Sequence, residues 1–329
     1  MSKQQKTPPM QGNIVPDSQA GGLMALLPGR VRDLASMARF DRPIGWWLLF
    51  WPGAWAIALA GNGLEHWRMI LWFLVGSIAM RAAGCVWNDI VDRDLDKKVA
   101  RTASRPVAAG RISVIQAALW MGALCLIGLV VLLQLRWQAQ LMALASLALV
   151  AAYPFMKRIT WWPQVWLGLV FSWAALVGWT EMQGSIGIAG ALLYLGSICW
   201  VIGYDSIYAL QDKEDDALVG IKSSALAMGS HVRGGVAGFY AMALLLWAGT
   251  IWLARPDPLV LLALLPVAAH LLWQVATLKE DGLDPGFSVD AFPDAKPVPT
   301  FAGNALAKFR SNRFAGALMF AACVVVGAS

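Results

Sequence analysis

The sequence predicts an all-α, polytopic membrane protein, built as a bundle of nine transmembrane helices in two pseudo-repeated halves around a central cavity. Three observations predict this fold class. The 329 residues are 58% hydrophobic, with a mean hydropathy of +0.58. Only 14% of them are charged, whereas soluble domains carry roughly a quarter charged residues. Nine apolar segments recur along the chain, and most approach the roughly 20 residues that cross a bilayer.

The apolar segments follow a polar start. Residues 1–20 are polar, and residues 21–41 mix Leu and Met with arginines, which is typical of a short helix lying at the membrane interface. The predicted transmembrane helices are 44–60, 69–88, 113–135, 137–156, 159–180, 182–204, 234–254, 258–278 and 314–329. We therefore divide the chain into an N-terminal tail with an interfacial helix, 1–37, and one membrane-embedded domain, 38–329. Residues 279–313 are rich in Pro and Asp and are predicted to form a long cytoplasmic loop.

The basic residues predict the orientation of the helices. Of the 26 Lys and Arg residues, 22 precede the first span or follow an even-numbered span, on one side of the membrane. This excess places the N-terminus and the even-numbered loops on the cytoplasmic side. Because these bases adjoin apolar spans, they indicate contact with the lipid bilayer, and no nucleic-acid partner is expected. The N-terminus lacks an Arg- and Ser-rich presequence, which favours a bacterial inner membrane.

The second span ends in a cluster of acidic and basic residues, in the run NDIVDRDLDKKVARTASR. Asn88, Asp92 and Asp96 are four residues apart, so on a helix each is rotated about 40° from the last and all three share one face. Three oxygen ligands on one stripe suit a hard divalent cation. Arg81 lies within the same span, and a charge there is expected to face a cavity rather than lipid.

The sixth span ends in the same way, with the run YDSIYALQDKEDD. Asp212 and Asp216 are four residues apart, and Tyr208 precedes them on the same stripe. An ordinary juxtamembrane loop would explain one such run, but two matching runs favour a functional site. Two such helix ends on one side of the membrane predict duplicated halves that face each other across a cavity.

Carboxylates and bases at one cavity mouth indicate how an anionic substrate would bind. Carboxylates alone would repel an anion, whereas divalent cations between acid and substrate, completed by Lys and Arg, would bind a diphosphate. A bound Mg²⁺ can then act as a Lewis acid on a phosphate leaving group. An aliphatic, Trp-rich cavity would accommodate a hydrophobic chain attached to that diphosphate.

The two acidic runs resemble the two signatures of the UbiA-type membrane prenyltransferases. NDIVDRDLDKKVARTASRPVAAG is similar to their first Asp-rich signature, NxxxDxxxD, and YDSIYALQDKEDDALVGIKSSALAMG to their second. FDRPIGWWLLFWPGAWA and YPFMKRITWWPQ also resemble the branch that prenylates 4-hydroxybenzoate in ubiquinone synthesis. The resemblance covers roughly 38–278 and the final span.

This resemblance implies an enzyme that transfers a polyprenyl chain from polyprenyl diphosphate to 4-hydroxybenzoate. The allylic diphosphate would ionise to a carbocation, which the ring would attack through the carbon ortho to its hydroxyl, giving 3-polyprenyl-4-hydroxybenzoate. Carried over by position, the Mg²⁺ ligands would be Asn88, Asp92 and Asp96 for one ion and Asp212 and Asp216 for another.

The resemblance also implies roles for residues around the metal ligands. The groups that would hold the diphosphate or help it leave are Arg93, Arg158 and Lys222. Arg42 is a candidate for the carboxylate of the acceptor, or else an interfacial arginine whose charge reaches back to water. Asp205 and Tyr208 are expected to support substrate binding.

Two other readings of the sequence stay open. Relatives with the same fold prenylate haem, homogentisate, dihydroxynaphthoate, chlorophyllide or a glycerol phosphate ether, and their flanking sequences differ from those quoted above. A transporter of Mg²⁺ or an organic anion would instead need a path across the bilayer and a site near its midplane. Both acid clusters lie on one side, which favours the enzyme.

Overall fold

The computed structural model describes residues 24, 26–98, 102–212, 223–279 and 300–328, and throughout this part the secondary structure is helical, without strands. The helices are α1 Gly29–Met37, α2 Ile44–Ala60, α3 Trp67–Val91, α4 Arg93–Asp96, α5 Val114–Leu132, α6 Trp137–Ile159, α7 Pro163–Gln183, α8 Gly187–Ala209, α9 Ser224–Met228, α10 Val232–Ala254, α11 Leu265–Ala276 and α12 Thr300–Ala328. Two 3₁₀ segments, Leu210–Asp212 and Pro258–Leu264, continue α8 and precede α11.

The nine predicted spans correspond to nine apolar helical segments among the described residues. Eight of these are long and apolar enough to cross a membrane, and the remaining one, α2, has 17 residues. The predicted all-α membrane fold is therefore confirmed. The short helix α1 lies within the predicted interfacial segment 21–41.

The boundary of the last helix differs from the prediction. α12 begins at Thr300, 14 residues before the predicted start at 314, so the last 14 of the 35 residues of the predicted loop 279–313 are helical. The Pro and Asp residues that favour a loop all lie before Thr300, whereas within α12 Lys308 is 4% exposed and Asn312 is fully buried. They face the interior of the bundle, where Asn312 Oδ1 accepts a hydrogen bond from Trp200 Nε1 at 2.9 Å.

The shortest membrane helix, α2, lies at the centre of the bundle. It is apolar on every side, and most of its residues are buried, which is the pattern of a helix surrounded by others. It packs against α3, α7 and α12, while α8 packs against α7, α10 and α12. α5 and α6 are mostly exposed along their apolar faces and form the lipid-facing side of the first half.

Three fully buried tryptophans fill the interior where α2, α8 and α10 meet. The ring centroid of Trp55 lies 5.1 Å from that of Trp200 and 5.2 Å from that of Trp247. Trp55 Nε1 donates a hydrogen bond to Gly316 O at 2.9 Å. Because Trp200 lies five residues along α8 from Asp205, this tryptophan cluster sits about 7.5 Å beyond that carboxylate, away from the acidic end of the bundle.

Close packing of α8 against α10 depends on glycine. A Cβ atom added at Gly203 would lie 2.4 Å from Tyr240 Cε1, and the Tyr240 hydroxyl donates a hydrogen bond to Gln274 Oε1 at 2.7 Å. Gly203→Ala should therefore destabilise the fold by about 1–3 kcal/mol through overpacking. Thermal unfolding in detergent measures this loss.

Gly122 on α5 supplies the matched control, because a Cβ atom there would meet nothing within 4 Å. Gly122→Ala should leave the unfolding temperature unchanged or slightly raised, since alanine favours helix more than glycine does. Equal losses in the two variants would contradict the close contact at Gly203.

Candidate active site

The first acidic motif lies where α3 gives way to α4. α3 ends at Val91, and Asp92 forms a turn with φ −89° and ψ 0° before the short helix α4. The helical register continues through this turn, because Asp92 N donates to Asn88 O at 2.9 Å and Asp96 N donates to Asp92 O at 2.8 Å. Asn88, Asp92 and Asp96 consequently follow one another along one side of the α3 end.

The three side chains of this motif differ in their surroundings. Asp92 is fully buried and Asp96 is 4% exposed. Asn88 Oδ1 is buried and has no hydrogen-bond partner within the described ranges. Burial raises the pKa of Asp96, and the guanidinium of Arg105, with Nη1 at 2.9 Å from Oδ2, opposes that rise. A buried amide oxygen without a donor beside two buried carboxylates is what an oxygen-coordinated cation requires.

Residues 88–96 alone do not complete a metal centre. Among the described residues, no three His, Cys, Asp or Glu side chains come together closely enough to hold a metal ion. The donor set here is two carboxylates and one amide, and all three supply oxygen, which fits Mg²⁺. Asp216 and the side chain of Asp212, the predicted second ligand pair, lie outside the described part of the chain.

A buried arginine marks the deeper part of the site. Arg81 on α3 contacts Cys85 Sγ through Nη1, and its guanidinium carbon lies 5.6 Å from the ring centre of Phe171 on α7. Its Nε is buried without a hydrogen-bond partner in the described structure. A Cβ atom on Gly45 of α2 would lie 2.8 Å from that Nε, so the glycine leaves room for the guanidinium.

Polar groups from both halves of the bundle surround this arginine. Besides the like-charged Arg39, those that interact electrostatically with it are Tyr153 of α6 and Tyr204, Asp205 and Tyr208 of α8. The Tyr204 hydroxyl is buried and lacks a hydrogen-bond partner among the described residues. We call Arg81, Tyr153, Tyr204, Asp205 and Tyr208 the Arg81 cluster. Its members come from the first and second halves, as the prediction of two halves facing each other requires.

An aromatic ring of α12 packs against the tyrosines of the Arg81 cluster. The Phe309 ring centre lies 4.5 Å from that of Tyr208 and 5.8 Å from that of Tyr204. With Phe171 over the guanidinium, the cluster combines one cation, one carboxylate and several aromatic rings. Such a setting can bind a small aromatic acid, because a ring stacks against the walls while its anionic group pairs with the arginine.

The remaining predicted site residues lie elsewhere. Arg93 is exposed, with Nε 3.5 Å from Oδ2 of the exposed Asp94, and its role toward the diphosphate stays a prediction. Arg42 Nε lies 3.2 Å from Asp41 Oδ2 at the start of α2. Lys222 and the side chain of Arg158 lie outside the described residues.

Sequence reasoning missed an ion-pair chain next to the first motif. Asp89, which is buried, pairs with Arg39 and Arg105, and Arg105 also pairs with Asp96. Asp89 lies about 100° around the helix from Asn88, off the acidic stripe, and Arg39 is 50 residues away in sequence. No spacing signal links these residues. Tyr153 and Tyr204 were missed for the same reason.

Known proteins match the chain in both sequence and fold. The UbiA prenyltransferase family model matches residues 49–288. The 4-hydroxybenzoate polyprenyltransferase, mitochondrial, of Drosophila pseudoobscura pseudoobscura is 44% identical over 79% of this chain and 66% of its own length. The protein of that name from Arabidopsis thaliana is 40% identical over 94% of this chain and 72% of its own length. The chain thus spans just under two thirds of the Drosophila relative.

Solved structures share the fold at lower sequence identity. The apo structure of a UbiA homologue from Aeropyrum pernix K1 matches with a TM-score of 0.65 at 21% identity, over 85% of this chain and 97% of that one. A UbiA homologue from Archaeoglobus fulgidus bound to GPP and Mg²⁺ matches with a TM-score of 0.58 at 19% identity, over 86% and 99%. At these identities the likeness concerns the helical architecture.

Proposed function

Because this chain belongs to the UbiA prenyltransferase family, whose model matches most of its length, we propose that it is a 4-hydroxybenzoate polyprenyltransferase. The reaction moves a polyprenyl chain from polyprenyl diphosphate to the ring carbon ortho to the hydroxyl of 4-hydroxybenzoate. The product, 3-polyprenyl-4-hydroxybenzoate, serves ubiquinone biosynthesis. The observation that carries the proposal is the 40–44% identity to two proteins of that name along most of this chain.

The donor site is assigned to the acidic motifs. Asn88, Asp92 and Asp96 would hold one Mg²⁺, and Asp212 and Asp216 a second. The chemistry that Mg²⁺ supplies when bound is neutralisation of the diphosphate as a Lewis acid. The Archaeoglobus fulgidus neighbour is bound to GPP and Mg²⁺, which supports a prenyl diphosphate and a divalent cation as the ligands proposed here. The allylic carbon–oxygen bond breaks, and the diphosphate leaves with the bonding electron pair. By the family resemblance, Arg158 and Lys222 would neutralise its charge.

The acceptor site is assigned to the Arg81 cluster. Its buried guanidinium, with Nε unpartnered in the described structure, suits the carboxylate of 4-hydroxybenzoate better than Arg42, which is paired with Asp41. Phe171 lies beside the guanidinium and would stack on the ring. The ring carbon forms the new carbon–carbon bond and then loses its proton, and we assign Asp205 as the group that accepts it.

The apolar helices and the basic residues also bear on how the protein lies in the membrane. The apolar helices make this an integral membrane protein. The relatives named above are mitochondrial, so they give no support to the expectation of a bacterial inner membrane. We propose that the site opens on the side that carries the excess of basic residues, and that residues 38–329 form one membrane domain preceded by the tail and interfacial helix.

Prenyl transfer by the purified chain in nanodiscs tests the function directly. The assay supplies radiolabelled 4-hydroxybenzoate and a long-chain polyprenyl diphosphate, with Mg²⁺ or with excess EDTA. We expect a lipid-soluble labelled product only with Mg²⁺, and restored activity when Mg²⁺ is returned after EDTA. Product formed in excess chelator would remove the metal from the mechanism.

Two outcomes would redirect the assignment. Transfer to homogentisate, dihydroxynaphthoate or haem, but not to 4-hydroxybenzoate, would keep the chemistry and change the acceptor. No transfer to any acceptor, together with Mg²⁺ flux through the protein in liposomes, would favour transport over catalysis.

A further inference from the structure

A chain of alternating charges joins the interfacial segment to the first acidic motif. Arg39 holds Asp89 through two contacts, Nη2 to Oδ1 at 2.7 Å and Nη1 to Oδ2 at 3.2 Å. Arg105 Nη1 lies 3.3 Å from Asp89 Oδ1 and 2.9 Å from Asp96 Oδ2. The Asp89 side chain is fully buried. We call these four residues the charge chain: Arg39, Asp89, Arg105 and Asp96.

The backbone at Arg39 supports a specific role for this chain. Arg39 has φ +57°, a left-handed conformation that is unfavourable for a residue other than glycine. Its Nη1 also donates to Ser36 O at 2.9 Å, at the end of α1. The bidentate pair with Asp89 and this hydrogen bond offset the cost. Strained backbone of this kind tends to occur where structure serves function.

The position of Arg105 connects the charge chain to the proposed metal site. One nitrogen of Arg105 is shared between Asp89, which no assignment above places on a metal, and Asp96, which is a proposed ligand. A divalent cation and Arg105 are both positive, so they compete for Asp96 Oδ2. Asp89 attracts Arg105 away from Asp96. Arg39 weakens this attraction, because it neutralises part of the Asp89 charge.

We propose that Asp89 is a positioning residue that sets how strongly the first acidic motif binds a divalent cation, acting through Arg105. The proposal rests on the metal site in the proposed function, but it concerns residues that touch neither substrate. When a cation binds Asp96, Arg105 keeps its ion pair with Asp89. The cation and the guanidinium therefore do not share the Asp96 carboxylate. Arg39 tunes this retention, because it competes with Arg105 for Asp89 Oδ1.

Binding of Mn²⁺ to the full chain in detergent, measured by the EPR signal of the free ion, tests the proposal. Asp89→Asn should weaken Mn²⁺ binding by about tenfold, since Arg105 then has only Asp96 as a partner; coupling of this size is typical of contacting charged residues. Arg105→Gln and Arg39→Gln should each strengthen binding, by about two- to fivefold. The first removes the competing cation, and the second leaves Asp89 entirely to Arg105.

The double variant separates positioning from general damage. In the Arg105→Gln background, Asp89→Asn should change Mn²⁺ affinity by less than about twofold, because the group that transmits its effect is gone. A network that only stabilises the fold would instead weaken binding in every variant. Should Asp89→Asn fail to fold, Arg39→Gln in the Arg105→Gln background decides the matter. The proposal predicts that its gain in affinity disappears there, whereas loss of a positive charge alone would strengthen binding in both backgrounds.

Three results would overturn the proposal: weaker binding in both arginine variants, the same loss from Asp89→Asn in both backgrounds, or no Mn²⁺ binding by the unmodified chain. The titration needs neither prenyl donor nor acceptor. A failure of the transfer assay described above would therefore be distinguishable from a failure of the charge chain.

Discussion

Asp92→Asn is expected to reduce prenyl transfer by more than about a hundredfold while the chain remains folded. Asp92 is fully buried between Asn88 and Asp96 on one side of the α3 end, and asparagine keeps its size while removing the charge. Residues that merely support a metal ligand contribute roughly 10- to 100-fold to affinity or activity, so loss of a ligand itself should cost more. The measurement is kcat in nanodiscs at saturating Mg²⁺, together with the unfolding temperature.

The control for Asp92 lies two residues away. Asp94 is exposed and pairs with Lys97 at 3.0 Å, and that hydrogen bond lowers the pKa of its carboxyl. Asp94→Asn should leave transfer within about twofold of the unmodified chain, because exposed ion pairs contribute little. Near-normal activity of Asp92→Asn would exclude that residue as an essential ligand, and equal losses in both variants would point to a general effect of charge.

Arg81→Gln is expected to raise the KM for 4-hydroxybenzoate by about 10- to 100-fold. The assigned contact is a charge-assisted hydrogen bond in a buried setting, and losing one costs roughly 1.5–3 kcal/mol. The KM for the polyprenyl diphosphate should change much less, since that substrate is assigned to the acidic motifs. Steady-state kinetics with each substrate varied in turn measure this separation.

An uncharged acceptor makes the test of Arg81 specific. The methyl ester of 4-hydroxybenzoate lacks the carboxylate, so Arg81→Gln should change its KM by less than about threefold, well below the loss expected for the acid. Arg42→Gln is the matched variant, and we expect it to leave the KM for the acid almost unchanged. If Arg42→Gln raised this KM and Arg81→Gln did not, the carboxylate would belong at the start of α2.

The architecture could be predicted from the sequence because the membrane imposes simple rules on it. Apolar length depends on local composition, and it located every apolar helix in the described residues. The start of α12 could not be predicted in this way. Lys308 and Asn312 look like loop residues until their burial is known, and the partner of Asn312 is Trp200, on another helix.

Some residues of the candidate site could likewise be predicted from local spacing, and others could not. The stripe of Asn88, Asp92 and Asp96 could be predicted because a helix converts a spacing of four residues into a shared face. The neighbours of Arg81 could not, since Tyr204 and Asp205 belong to the other half of the bundle and only packing brings them near. A charge inside an apolar span was the one local signal; it predicted that Arg81 faces the interior, where its Nε is buried, but it named no role.

The tryptophan cluster has a consequence for the membrane as a whole. A bilayer that stores an ion gradient discharges through any continuous file of water that connects its two faces. Prenyl transfer releases a diphosphate and a proton, so the site needs water at its entrance. Trp55, Trp200 and Trp247 are fully buried and in mutual contact beyond Asp205, and their packed rings leave no room for such a file where α2, α8 and α10 meet. In the proposed reaction, the diphosphate and the proton would therefore leave from the acidic end of the bundle rather than past these three tryptophans.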